Sequence, residues 1–254
     1  MTGPVHTGRA LVEVAPGVHV ATSRVMATTS TVLVGPRGVL LVDPAWVPSE
    51  LDALATTLDE RDWRVVGGFA THAHHDHLLW HPRFGDVPRW ASPRTAELAR
   101  TERAALVEAL GDGWPDELVD LMGRVEPAAD IDEGIELVVH DGHAPGHTAL
   151  WLAEQRVLVV GDMLSDREVP LPFWPDDLPA YLAGLDRLAP YVASAAVLVP
   201  GHGTPTHEPM ARLDADRRYL DEVIAGRVPD DARLEDAENR SEYDHLVELV
   251  RTSG

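Results

Sequence analysis

The segment Thr71-His72-Ala73-His74-His75-Asp76-His77 places four histidines and one aspartate within six consecutive positions. Neutral imidazole and carboxylate are donors for zinc and similar divalent metals. The segment leaves an apolar strand ending at Ala70, so the alternating residues His72 and His74 can point to one side. Asp76 and His77 follow on the turn and can face a second point a few ångströms away. That is a layout for two adjacent metal ions. Chance histidine tracts usually lie at termini or in polar loops, whereas this one interrupts an apolar strand-to-helix junction.

Three later positions repeat the theme. His147 follows Pro145-Gly146 and precedes a strand, Asp162 follows Gly161 at the end of the apolar run Val157 to Val160, and His202 lies in Pro200-Gly201-His202-Gly203 after Leu198 and Val199. Each stands at a strand end beside glycine, where backbone can turn sharply and approach a ligand closely. Any one of them alone reads better as a structural histidine or a capping aspartate. Together with the first cluster they form a pattern.

The elements that must position these residues are legible in outline. Short β-rich runs open the chain at Leu11 to Val14, Val18 to Ala21, Thr31 to Val34 and Val39 to Val42, and suggest an antiparallel meander. A helix beginning near Ser49, with Leu51, Leu54 and Leu58 at helical spacing, leads to a strand at Arg64 to Ala70. Helices are predicted at Arg94 to Leu110, Pro115 to Met122 and Pro179 to Leu188. Strands are predicted at Ile135 to Val139, Ala149 to Leu152, Val157 to Val160 and Ala195 to Val199. The cycle of strands and helices occurs once in each half, which hints at a duplicated α/β unit. Leu164 to Pro179, with four prolines, reads as a long irregular loop, and long loops are commonly functional. Its Phe173 and Trp174, with Trp80 near the histidine cluster, are candidates to cover an apolar substrate group, or are ordinary packing. His75, His81, His140, His143 and His207 read as surface residues or as hydrogen-bond partners of the ligands.

Composition narrows the partners. The chain has 254 residues, 21 basic and 42 acidic side chains, a formal charge of −21, thirteen histidines, no lysine and no cysteine. So acidic a chain repels phosphate backbones and anionic membranes, leaving a small molecule as the expected partner, with neither nucleic acid nor membrane. Without cysteine there are no disulfides, thiolate ligands or cysteine nucleophile. No basic segment followed by an apolar run opens the chain and no stretch is long enough to span a bilayer, so the expectation is a soluble, cytoplasmic protein. Oligomeric state is not readable. No serine-nucleophile elbow, phosphate loop or dinucleotide fingerprint is present.

The ordered set His72-x-His74-x-Asp76-His77, His147, Asp162 and His202 resembles the metallo-β-lactamase-fold hydrolases. The likeness runs from about Leu11 to His202, and Asp43 matches that family's early strand-end aspartate. It implies an α/β, four-layer αββα sandwich, read as one domain over residues 1–254, to which the helical spacing of Leu213, Leu220, Val223, Leu246 and Leu249 adds a helical C-terminal extension from about 206. It also implies two divalent metal ions, zinc first, with iron or manganese as alternatives. By the resemblance His72, His74 and His147 hold one ion, Asp76, His77 and His202 the other, and Asp162 bridges them. Two cations sharing a water lower its pKa from about 15.7 to about 7, giving a hydroxide that attacks an electrophilic carbonyl. Asp76 is then placed to take or relay the proton.

Departures from known branches of the family narrow the reading further. Secreted β-lactamases of this fold carry, in their main classes, a cysteine where Asp162 stands. Flavo-diiron proteins have glutamate where His74 stands. An aspartate bridge with Pro145-Gly146-His147-Thr148 is similar to glyoxalase II and its thioesterase and lactonase relatives. The lack of lysine argues against glutathione thioesters, and Ser165, where lactonases tend to carry tyrosine, against a typical acyl-homoserine lactonase. The resulting expectation is a dinuclear hydrolase of a thioester or of an ester or lactone. The alternatives are a mononuclear iron persulfide dioxygenase using His72, His147 and Asp162, and a β-lactamase-like amide hydrolase.

Overall fold

A computed structural model describes residues 10–131, 134–172 and 176–253. The chain divides into two compact units, one ending at Glu133 and one beginning at Gly134. Phe173 and Trp174 lie outside the described residues.

The first unit is built on one seven-stranded sheet in chain order. Strands β1 (Val12–Ala15), β2 (Val18–Thr22), β3 (Thr29–Gly35) and β4 (Gly38–Val42) form the expected antiparallel meander. Helix α1 (Pro48–Glu60) starts with proline at its first position, which suits the missing N–H. It buries Leu51, Leu54 and Leu58 along one stripe. Because α1 carries the chain back across the sheet, β5 (Val65–Phe69) pairs parallel to β4.

Two short strands, β6 (Arg89–Ala91) and β7 (Glu126–Pro127), extend the sheet in parallel. At three and two residues they are too short to show a sequence period. The helix expected over Arg94 to Leu110 is two helices, α2 (Pro93–Thr101) and α3 (Arg103–Leu110), which share Glu102 as the cap between them. Arg103, at the restart, donates to the Val119 and Met122 carbonyls at 2.7 and 2.9 Å. Those carbonyls belong to the last turn and cap of α4 (Asp116–Leu121). This tertiary contact has no counterpart in the local apolar spacing.

The second unit has a four-stranded sheet of order β11-β10-β9-β8. Strands β8 (Ile135–Val139), β9 (Thr148–Leu152) and β10 (Val157–Val159) are antiparallel neighbours, and β11 (Val197–Val199) pairs parallel to β10 after helix α5 (Leu178–Ser194). Helix α5 runs past the expected Leu188 and through Pro190, because its buried stripe Tyr181, Leu185, Leu188 and Val192 continues to the end. Helices α6 (Pro209–Ile224) and α7 (Ala237–Ser253) complete the unit, giving two sheets and seven α-helices among the described residues.

The duplication hinted at by the sequence is present as topology. In each unit a hairpin is followed by a helical crossover to a parallel strand, β3-β4-α1-β5 in the first and β9-β10-α5-β11 in the second. Residues just past the C-terminal ends of neighbouring parallel strands face the crevice where ligands bind in such sheets. Asp43 and the histidine cluster follow β4 and β5, and Asp162 and His202 follow β10 and β11. His147 precedes β9, which is antiparallel to β10, and so stands at the same end of its sheet.

The strand that delivers the histidine cluster has no room to spare. A Cβ on Gly68 in β5 would lie 2.4 Å from a ring carbon of Trp80, which is itself buried. Gly68→Ala should therefore destabilise the protein by about 1–3 kcal/mol in urea unfolding through overpacking. An unchanged midpoint would mean that Trp80 is not held against this strand.

Candidate metal centre

In the first unit the histidine cluster is organised from below by Asp43. Its backbone takes φ +47°, an uncommon conformation that asparagine and aspartate adopt more readily than most residues. Its carboxylate accepts from the Thr71 N–H at 2.8 Å and from the Thr71 hydroxyl at 2.7 Å, and Oδ2 is 3.0 Å from His77 Nδ1. A carboxylate can only accept, so Nδ1 of His77 carries the proton and Nε2 keeps its lone pair. The Thr71 hydroxyl, its proton committed to Asp43, accepts from His72 Nδ1 at 3.0 Å. His72 Nε2 is thereby left as a donor to metal as well. Thr71, His72, Asp76 and His77 are all buried.

The candidate ligand atoms meet in two pairs. His72 Nε2 and His74 Nδ1 are 2.9 Å apart, and His77 Nε2 lies 3.2 Å from Asp76 Oδ2. Two ligands on one tetrahedral zinc at 2.0–2.1 Å sit about 3.3 Å from each other. Alternate positions His72 and His74 thus meet as the sequence predicts, and Asp76 and His77 form the second pair.

In the second unit the Asp162 carboxylate is the meeting point. Its Oδ2 is 3.4 Å from His202 Nε2 and 3.5 Å from His143 Nε2. His147 Nε2 faces the Asp162 backbone N–H at 3.2 Å, and His147 Nδ1 is 3.3 Å from His140 Nε2. Asp162, Glu168 and His202 each bring a ligand atom within 4.8 Å of the others. His143 Nδ1 is 3.0 Å from the Leu171 carbonyl, which fixes its proton there and turns Nε2 toward Asp162. Backbone makes this approach possible at Gly201, where a Cβ would lie 2.0 Å from Asp162 Oδ1.

The donor set therefore fits divalent cations in both units: His77, His143 and His202 each have an acceptor or carboxylate at one ring nitrogen and a carboxylate facing the other. Of the predicted residues, His72, His74, Asp76, His77, Asp162 and His202 each fall in a group of donor atoms close enough to share a cation, whereas His147 falls in none and its Nε2 accepts from the Asp162 N–H. Two residues at the second cluster carry no ligand signal in the sequence, His143 and Glu168. His143 stands four residues before His147 and reads there only as its neighbour. Glu168 has no local signal.

For Trp80 the packing alternative holds. Trp80 packs edge-on against Phe84 beneath the Arg89 guanidinium and donates to the Gly85 carbonyl, so it belongs to the core of the first unit. Among the described residues, Trp46 packs against the histidine segment, its ring 5.1 Å from that of His75 and 5.8 Å from that of Trp114, and it too belongs to the buried core. Of the other histidines, His81 accepts from the Arg83 N–H at the start of a 3-10 turn, and His207 is exposed.

The sequence profile of the metallo-beta-lactamase superfamily matches residues 23–211, and the chain belongs to that superfamily. The fold is also that of solved structures of the superfamily. A metallo-beta-lactamase family protein of Thermus thermophilus superposes with a TM-score of 0.67 at 21% identity, covering 95% of each chain. A beta-lactamase domain protein of Burkholderia ambifaria gives 0.63 at 21% identity, over 89% of this chain and 80% of the other. TTHA1623, solved in a di-iron-bound form, gives 0.61 at 24% identity over 76% of this chain and 97% of that one. No curated protein matches the chain in sequence. Among the described residues, no helix is long and apolar enough to cross a membrane.

The arrangement makes Asp43 a residue that acts through its neighbours. Asp43→Ala removes the acceptor that sets both His77 and, through Thr71, His72. Chelator competition should show metal affinity falling about 10–100-fold. Affinity equal to that of the parent protein would show that the imidazoles are oriented by something else.

Proposed function

We propose that this protein is a metal-dependent hydrolase of a thioester or of an ester or lactone, with His72, His74, Asp76, His77, His147, Asp162 and His202 as ligands of two divalent cations. The observation that carries the reading is the complete His and Asp donor set at strand ends, with Asp43 and Thr71 fixing the imidazole tautomers, in a chain of the metallo-beta-lactamase superfamily. Zinc is the leading metal. TTHA1623 was solved with two irons, and the imidazole and carboxylate donors here suit iron and manganese too.

When bound, such cations supply Lewis acidity that polarises a carbonyl and acidifies water. The protein's own contribution is positional and protolytic. Asp43 and Thr71 hold the His72 and His77 rings so that each presents a lone pair. Asp76, buried and 3.2 Å from His77 Nε2 through Oδ2, would hold or release a proton at its other carboxylate oxygen. Aspartate at position 162, in a chain without cysteine, supports the thioesterase and lactonase branch over the main secreted β-lactamases.

The deciding experiment combines metal analysis of protein purified without chelator with a substrate panel of acyl thioesters, lactones, β-lactams and phosphodiesters. The expected result is two ions per chain and turnover of a thioester or lactone that chelation abolishes and zinc restores. A single iron with oxygen consumption on a persulfide would replace the hydrolase reading with the dioxygenase one. Asp162→Ala should lower both metal occupancy and turnover, the latter by at least ~100-fold, since loss of even an outer partner of a ligand reaches that range. Normal turnover at full metal content would refute its role as a shared ligand.

A further inference from the structure

The loop from Leu164 to Val169 is tied down from the C-terminal part of the second unit by contacts that the proposed chemistry does not use. Arg233, with a nearly buried side chain, donates through Nη1 to the Ser165 carbonyl at 2.9 Å and the Glu168 carbonyl at 2.8 Å. The same nitrogen is 2.7 Å from Asp216 Oδ1, and Nε and Nη2 of the guanidinium reach Asp231. Asp216 in turn accepts from the backbone of Leu164. Asn239 closes the other end, accepting from the Val169 N–H at 3.2 Å and donating to the Arg167 carbonyl at 2.7 Å. It also donates to the Arg233 carbonyl at 3.0 Å, which joins the two anchors.

What the loop carries explains why it is held. Ser165 donates to the His202 carbonyl at 2.7 Å and accepts from the Arg167 and Glu168 N–H groups. Glu168 Oε1 is 3.5 Å from His202 Nδ1, on the opposite side of the ring from Asp162 Oδ2, 3.4 Å from Nε2. Asp166 accepts from the Thr204 N–H at 2.8 Å and pairs with Arg212 at 3.1 Å, anchoring the chain just beyond His202. Both the backbone and the ring of His202 are thus set by one loop. A carboxylate on the far nitrogen of a ligand imidazole fixes its tautomer and orientation.

We propose that Arg233 and Asn239 are positioning residues for His202: together they clamp the Leu164–Val169 loop, which sets the His202 backbone through Ser165 and its ring through Glu168. The clamp lies in the last quarter of the chain, beyond the residues matched by the superfamily profile. The segment after α6 is therefore a working part of the metal site. The inference rests on the reading of His202 as a metal ligand.

Cobalt(II) titration of metal-stripped protein tests it, with d–d absorption and chelator competition giving a constant for each ion and melting of the metal-free protein as the structural control. The variants are Ser165→Ala, Asn239→Ala and Arg233→Lys, the last keeping the charge but losing the planar fork. The expected result is a 10–100-fold weakening of one of the two ions, about the range for outer partners of metal ligands, with a changed d–d spectrum and the other ion unaffected. Constants and spectra matching the parent in folded Ser165→Ala and Asn239→Ala, even with lowered melting, would overturn the proposal and leave the metal reading intact. Those two variants decide the matter if Arg233→Lys does not fold. A parent protein that binds no cobalt would overturn the metal reading and the proposal with it.

Discussion

An imidazole can offer a lone pair to a metal only if its other nitrogen holds the proton, and in a buried site that proton must have an acceptor. This requirement organises the structure. In the first unit Asp43 meets it directly for His77 and through the Thr71 hydroxyl for His72. In the second unit the Leu171 carbonyl meets it for His143, and the Glu168 carboxylate faces the Nδ1 side of His202. Each acceptor must be delivered by backbone to within hydrogen-bonding or ion-pair range, so the strand ends and loops around the donors are constrained as tightly as the donors themselves.

Parallel strand pairs satisfy much of that constraint. Asp43 and Thr71 come from neighbouring strands β4 and β5, whose pairing continues past the sheet as the Asp43 N–H donates to the Phe69 carbonyl at 3.0 Å. Asp162 and His202 stand in the same relation on β10 and β11. Between them only a residue without a Cβ can pass, as Gly201 shows. The crossover helices make this geometry repeatable, because a helix of adequate length is what turns a hairpin into a hairpin plus a parallel strand.

Much of the fold was legible from local signals. The meander strands, α1 and its leucine stripe, the strand before the histidine cluster and the strands of the second unit were all readable, because each has a period or a turn residue that acts over a few positions. The losses were where length or tertiary contact decides. Strands β6 and β7 are too short to carry a period. The break at Glu102 accompanies the hold of Arg103 on carbonyls in the last turn and cap of α4. Helix α5 continues past Pro190, where Val192 still lies on its buried stripe, a continuation that no local signal before the proline announces. For Trp80, three residues after His77, the sequence left packing and substrate cover open, and the structure places it in the core.

For the site, the sequence by itself determined the inventory of donors. Four histidines and an aspartate in six positions, with His147, Asp162 and His202 at glycine-flanked strand ends, specify residue types whose chemistry is local to each side chain. Tertiary structure alone decided what holds them. Asp43 Oδ2 lies 34 residues in sequence from the His77 ring it orients, and Arg233 and Asn239 lie about seventy from the loop they clamp. Donor identity is carried by single side chains and can be read one position at a time. Donor orientation depends on acceptors brought from distant segments, and no local pattern encodes that distance.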